Sequence, residues 1–435
     1  MVPREREVRI AGAILILLAT LLVWNVFHYP WENGYDAVSA AHYSEALGTH
    51  HRLPLKSETD VWHNPPLWFA IAGGTYHAGE ILRLPDAGIP VQLLSALCVL
   101  GTVVLIGLIA RELAPERRAL VPLAMGAAAM TPVLVRAGVL FHPEPLAALL
   151  TTAGLYVFIR AVSRGQTTLA MGATAGILLG LANLTRTWAF AALIAVVIGA
   201  LAVWRRDRRP ARAFTVALVV AASALVVPWL AIKTATYGSP FAYSKPDPNQ
   251  WRQHGRPAEF YFALNLHGLT HTPYQPAFRN HLLPTVFADW YGDYWRDYEM
   301  PLALRNDPVV LPSRYGDPLV RQVWVGVVLS IFTLVGLVGL IRRAWRRRDL
   351  ALATFLLSAA ALVAMFVVFL VQNPKQDGDN MKAIYLLNVA PVVALACCWG
   401  IAAVASRGRV WRIVTAIVLV EALAVSTTFL VLSVG

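Results

Sequence analysis

Hydrophobic positions in this chain come in long unbroken runs, not in the alternation of a half-buried strand or the three-to-four spacing of a surface helix. Runs of about 16–23 residues, near the length a bilayer core requires, lie at 10–27, 90–110, 119–138, 145–162, 169–184, 187–204, 213–233, 323–342, 350–371, 384–404 and 411–432. A run that is apolar on every side is a helix in lipid, because only a helix or a closed barrel satisfies its own backbone there. The pattern predicts an all-α polytopic membrane protein with about eleven transmembrane helices. One further stretch, 65–82, begins Pro65-Pro66 and carries Gly73-Gly74, His77 and Glu80, so its status needs a second signal.

Charge supplies that signal. Arginines cluster at Arg4/Arg6/Arg9, Arg111/Arg117/Arg118, Arg160/Arg164, Arg205/Arg206/Arg208/Arg209/Arg212, Arg342/Arg343/Arg346/Arg347/Arg348 and Arg407/Arg409/Arg412. Cytoplasmic loops carry the excess of basic residues. If 65–82 does not span, every cluster falls on the side of the N-terminus; if it spans, the first opposes all the others. The stretch is therefore expected as a re-entrant or interfacial helix on the outer side. The N-terminus is then cytoplasmic, the C-terminus external, and the protein a multi-pass component of the plasma (inner) membrane. No small-residue cleavage site follows the first run, which reads as a retained helix.

This topology makes 1–435 a single transmembrane domain. Its external parts are a first loop at 28–89, a turn at 139–144, a long loop at 234–321 and a small loop at 372–383. Loops this long usually carry function, so the chemistry is expected outside. The composition agrees: 57% of residues are hydrophobic and 14% charged. The net charge of +12 would suggest nucleic acid in a soluble protein, but here the arginines sit between apolar runs, so the partner is the bilayer and not nucleic acid. Cys98, Cys397 and Cys398 lie inside runs without zinc spacing and read as small buried residues. A multi-pass transporter or lipid flippase is the alternative class. Against it stand the absence of an inverted repeat and the expectation of no charge in mid-membrane.

Candidate chemistry gathers in the external segments. Asp36 follows the first span, and His42, Lys56 and His63 follow in the same loop. For Asp36 a helix N-cap is the competing structural role. The turn Phe141-His142-Pro143-Glu144-Pro145 sets an imidazole and a carboxylate at a helix mouth, where Glu144 would also suit the positive end of the helix macrodipole. Arg186 interrupts two short spans against the charge bias, which calls for a partner or for snorkelling to headgroups. Lys375, Asp377, Asp379, Lys382 and Tyr385 lead into a late span, and Lys382 could meet a phosphate. The long loop carries Asp289, Trp290, Tyr291, Asp293, Trp295 and Asp297. Rings can cover the apolar face of a sugar while carboxylates accept its hydroxyls. On a continuous helix Asp289, Asp293 and Asp297 would share one face, as an acidic stripe or a cation site. The metal is left unknown.

In this order and on this side of the membrane, the elements resemble the GT-C superfamily of membrane glycosyltransferases, which use polyprenyl-phosphate-linked sugars. They are similar above all to bacterial relatives of protein O-mannosyltransferases and of the lipid A aminoarabinose transferase. The elements are Asp36, Pro65-Pro66-Leu67-Trp68, Glu144, Leu184-Thr185-Arg186, and Lys382 with Tyr385-Leu386-Leu387. Aminoarabinose-type enzymes carry lysine directly before the paired prolines, where this chain has Asn64 after His63. Ala383 and Ile384 also separate Lys382 from Tyr385. The resemblance implies an inverting transfer from a polyprenyl-phosphate sugar to an acceptor hydroxyl of a glycan, lipid or protein. In it Asp36 is the base, and Arg186, Lys382 and then Lys56 meet the phosphate. Glu144, His42 and His142 would orient sugar or acceptor, or hold a divalent cation; no cofactor is otherwise implied.

Overall fold

The structure is a computed structural model describing residues 4–240, 242–243, 257–277, 281–298, 311–372 and 380–431, without the side chains at 4 and 208–210. Lys375, Asp377 and Asp379 of the small loop lie outside the described residues, as do the side chains of Arg4, Arg208 and Arg209. Among the described residues the chain is helical without strands. Helix α1 (Arg4–Val26) leads through a short 3-10 turn (Trp31–Asn33) to α2 (Ala37–Gly48) and α3 (Leu67–Ile81). Then come α4 (Ile89–Leu113), α5 (Leu120–Ala129), α6 (Pro132–Ala137), α7 (Glu144–Ser163), α8 (Leu169–Thr185), α9 (Ala189–Arg206) and α10 (Arg208–Tyr237). The long loop holds α11 (Ala258–Phe262), α12 (Leu266–His271) and α13 (Leu282–Tyr291). The chain closes with α14 (Ser313–Arg347), α15 (Leu350–Gln372), a 3-10 segment (Ala383–Val389) running into α16 (Ala390–Ala405), and α17 (Arg409–Leu430).

Nine of the described helices are long and apolar enough to cross a membrane, α16 being counted with its 3-10 lead-in; Leu120–Ala129 and Leu169–Thr185 are shorter. The expected span 119–138 is broken. Thr131 is extended (φ −84°, ψ 109°) before Pro132, as the residue preceding a proline tends to be, and the run divides into α5 and α6. The start expected at 323 also moves: α14 begins at Ser313 and carries Pro318 inside it. The stretch 65–82 forms the 15-residue helix α3, which at 1.5 Å per residue reaches only about 22 Å, short of a bilayer core.

Helix α3 is fastened to α2 by a close approach: a side chain on Gly73 would collide with the Ser44 carbonyl. Helices α14 and α16 approach in the same way, through Gly336 against Ala396 and Gly400 against Phe332. The 3-10 segment Ala383–Val389 lies between α6, α7, α13, α15 and α16, so the late helix enters through the middle of the bundle.

The two ends of the bundle differ. At one end Arg164 donates to Glu112 at 2.6 Å, and Arg343 lies 3.3 Å from Glu116. There Arg117 and Arg343 both cover the Trp399 ring, at 4.6 and 5.1 Å. At the other end the Tyr35 hydroxyl donates to Asp289 at 3.2 Å, so the first loop and the long loop meet directly, away from those arginines.

Candidate active site

Asp36 occupies the position just before α2 but is not a cap. Its side chain accepts no capping hydrogen bond, its backbone is left-handed (φ 50°, ψ 17°), and its carboxylate is exposed. Only the main chain serves the helix, with the Ala40 amide donating to the Asp36 carbonyl at 2.7 Å. A non-glycine residue in this region costs on the order of 1–3 kcal/mol, and such residues gather at functional sites.

Glu144 begins α7 itself and is fully buried. Arg186, 7% exposed where α8 ends and α9 has yet to begin, donates Nε to Glu144 Oε1 at 2.5 Å and Nη1 to Asn64 Oδ1 at 2.7 Å. Its guanidinium also stands 5.5 Å from the centre of the Tyr385 ring. The partner that the charge bias demanded is therefore Glu144, with Asn64 beside it. One carboxylate oxygen, Glu144 Oε2, has no partner, and neither has His142 Nδ1. His142 is buried, and that burial first, then the charges of Arg186 and Lys382, hold its imidazole well below the usual range.

His63 lies on the other side of Arg186. Burial, then Lys233 and Arg186, push its pKa down to about 3, so it is neutral. Its ring stands 4.0 Å from that of Tyr243. Lys233 comes from α10, one turn before Tyr237, whose ring packs on Trp62 at 4.7 Å. Lys233 is 6% exposed; among the described residues no carboxylate pairs with it.

A second buried cluster sits beneath Asp36. Arg136 donates Nη1 to Asp293 Oδ1 at 2.7 Å, and Nη2 to Asp289 Oδ1 at 3.1 Å and to the Asp289 carbonyl. Asp289 Oδ2 accepts the Ala383 amide at 2.6 Å. The Lys382 ammonium lies over the Tyr35 ring, 4.6 Å from its centre. Burial raises the Asp289 pKa against the pull of Arg136, and three groups meet its carboxyl oxygens: the Arg136 guanidinium, the Tyr35 hydroxyl and the Ala383 amide.

Of the predicted residues, the structure therefore brings together Asp36, His63, His142, Glu144, Arg186, Asp289, Asp293, Lys382 and Tyr385. His42 is exposed on α2 and Lys56 is exposed over the Trp62 ring at 5.1 Å, both apart from this group. Trp290, Tyr291 and Trp295 are buried, with Tyr291 receiving the Ser330 hydroxyl at 3.3 Å. The shared helix face expected for Asp289, Asp293 and Asp297 does not form. Helix α13 ends at Tyr291 and Gly292 turns the chain away, because Arg136 draws Asp289 and Asp293 to itself. No group of three candidate metal ligands occurs among the described residues.

Sequence reasoning missed Arg136, Asn64, Tyr35 and Lys233. It also expected no charge in mid-membrane, whereas Glu421 lies near the middle of α17 on an exposed flank, and Arg136 lies inside an apolar run. A charge within an apolar run was the available signal, since such a residue needs a partner or a wet cavity.

Compared with solved structures, the whole chain superposes on the apo oligosaccharyltransferase of Archaeoglobus fulgidus with a TM-score of 0.55 and 15% identity, covering 98% of this chain and 56% of that one. The chain carries the GT-C fold. The same archaeal enzyme, AglB, in complex with an inhibitory peptide and a dolichol-phosphate gives a TM-score of 0.53 at 14% identity, over 97% of this chain and 55% of that one. The chain thus spans about half the length of these GT-C structures. ArnT from Cupriavidus metallidurans bound to undecaprenyl phosphate superposes less closely, with a TM-score of 0.42 and 15% identity over 93% of this chain and 79% of that one. Within the GT-C fold, residues 78–232 match the family model described as dolichyl-phosphate-mannose-protein mannosyltransferase. No curated protein sequence matches the chain.

Proposed function

We propose that this protein is an inverting glycosyltransferase that moves a sugar from a polyprenyl-phosphate carrier to an acceptor hydroxyl at the outer face of the membrane. The observation that carries this reading is one bundle end holding an exposed carboxylate on a strained backbone, Asp36, together with the buried cations Arg186, Lys233 and Lys382. The family match over 78–232 and the GT-C fold support it.

In this reaction Asp36 takes the proton of the acceptor hydroxyl as its oxygen attacks the anomeric carbon. The bond from that carbon to the phosphate oxygen breaks, and its electron pair stays on the phosphate. Cations placed where this charge develops lower the barrier. Lys233 and Lys382 supply point charges, and Arg186 adds its field while Glu144 and Asn64 fix its fork. His142 and neutral His63 border this ground and can donate to phosphate or sugar oxygens. Asp289 and Asp293 hold the floor, while Trp290, Tyr291 and Trp295 shape it from within. His42 and Lys56, at the rim, would meet the acceptor. The arginine end faces the cytoplasm, by the bias of basic residues.

The test is transfer from lipid-linked sugar in membranes containing Asp36→Asn. General-base loss should lower turnover by about 10²–10⁴-fold with the protein still present at wild-type amount. Turnover near wild type would refute the base assignment.

A further inference from the structure

Asp289 touches the backbone neighbours of both groups assigned to the reaction. One carboxylate oxygen receives the Tyr35 hydroxyl at 3.2 Å, and Tyr35 immediately precedes Asp36. The other receives the Ala383 amide at 2.6 Å, and Ala383 immediately follows Lys382. Lys382 in turn lies over the Tyr35 ring at 4.6 Å, which closes a loop of contacts. The carboxylate is fully buried and is fixed from below by Arg136, which Asp293 anchors at 2.7 Å.

From this geometry we infer that Asp289 is a positioning residue, a single carboxylate that sets the distance between the proton-accepting Asp36 and the phosphate-facing Lys382. The inference presupposes the transfer reaction above, in which base and cation must flank one anomeric carbon. Asp36 sits in a left-handed turn with no side-chain hydrogen bond to the helix behind it, and Lys382 enters on extended backbone (φ −88°, ψ 127°). A misplacement of about 1 Å can cost on the order of 10²-fold in rate, so a rigid tie here acts on turnover more than on donor affinity.

The experiment pairs hydrogen exchange of the detergent-purified full chain with transfer kinetics, using Asp289→Asn, Tyr35→Phe and the double variant. Asparagine can accept at only one position, so Asp289→Asn should raise exchange by about tenfold or more in peptides covering 33–40 and 381–388 together. The break at 183–190 should stay unchanged. Tyr35→Phe, which keeps the ring under Lys382, should loosen 33–40 alone. Turnover should fall by about tenfold for either single variant with donor KM little changed, and the double variant should be no worse than Asp289→Asn. Exchange that rises in one segment only for Asp289→Asn, or additive losses in turnover, would overturn the tie. If Asp289→Asn loosens the whole chain, the local response to Tyr35→Phe decides, and no response there overturns it. Should the wild type transfer no lipid-linked sugar, the reaction fails while the exchange data still judge the tie.

Discussion

The two ends of the bundle use the same residue types for different ends. At the arginine-rich end Arg164 meets Glu112 with its side chain 44% exposed, and Arg343 meets a half-exposed Glu116. At the site end Arg136 and Arg186 meet carboxylates that are completely buried. Each pair at the arginine-rich end keeps one member in water, and a pair screened by solvent gains little from meeting. Buried pairs repay desolvation only while every partner is present. The first end can lose a residue and keep its shape. The second is a set of mutually dependent charges, which is how a site keeps its geometry when a charged substrate arrives.

The sharpest way to break this contrast is Arg136→Met. It strands Asp289 and Asp293 facing each other in the core, and removing one partner of a buried pair costs about 3–5 kcal/mol. We expect loss of folded protein, or a melting midpoint far below wild type, measured by thermal unfolding in detergent. Arg164→Met at the opposite end should leave the midpoint nearly where it was. Equal shifts for the two variants would erase the distinction between the ends.

Arg186→Met comes next. It leaves Glu144 uncompensated and Asn64 without its donor, with a cost again near 3–5 kcal/mol. Adding Glu144→Gln removes the stranded charge, so the double variant should regain much of the melting midpoint while transfer stays impaired. A double variant no more stable than the single would mean that the pair is not the reason for the loss.

Lys233→Met probes a buried cation that meets no carboxylate among the described residues. The fold should hold, and could gain, because methionine suits the same space without a charge to desolvate. Binding of undecaprenyl phosphate, read by native mass spectrometry, should weaken by about tenfold or more, and Lys233→Arg should restore part of it. Unchanged binding would remove Lys233 from the proposed phosphate site.

How much of this was legible before the structure follows from which physics each residue obeys. The apolar runs and arginine clusters report on lipid and on side, both one-dimensional, so the membrane class and the meeting of the first and long loops at one end could be read. Asp36, Glu144, Arg186 and Lys382, which the structure gathers at one bundle end, stood out in the sequence because charges at run ends are conspicuous. Arg136 was not, because it lies inside 119–138, and only the break at Pro132 shows that this run is not one helix. The acidic spacing in the long loop misled for the complementary reason. An i, i+4, i+8 pattern specifies a face only if the helix continues, and a partner 153 residues away ends it at Tyr291. Lys233 was passed over as the last turn of a span, since its burial is a property of the fold around it and not of its sequence.

The smallest effect we predict lies in acid, and it separates the two kinds of charge most finely. In the folded chain His63 resists protonation down to about 3, against an ordinary value of 6.5. Between those limits the unfolded chain binds a proton that the folded chain refuses. Stability from this residue is therefore intact above pH 6.5 and lost progressively as pH falls toward 3. Glu58 shifts in the same direction from an exposed position: its pKa is lowered to about 2 by the Arg52 hydrogen bond first and the Leu55 amide next, and its contribution also disappears on acidification. The two are told apart by where the loss begins, near 6.5 for the imidazole and only near 4.5 for the carboxylate. Melting midpoints of wild type and His63→Gln between pH 7 and 5 should diverge, the variant losing less. Parallel curves across that window would mean that His63 accepts its proton freely, and hence that water reaches the ground between Lys233 and Arg186 in the resting protein.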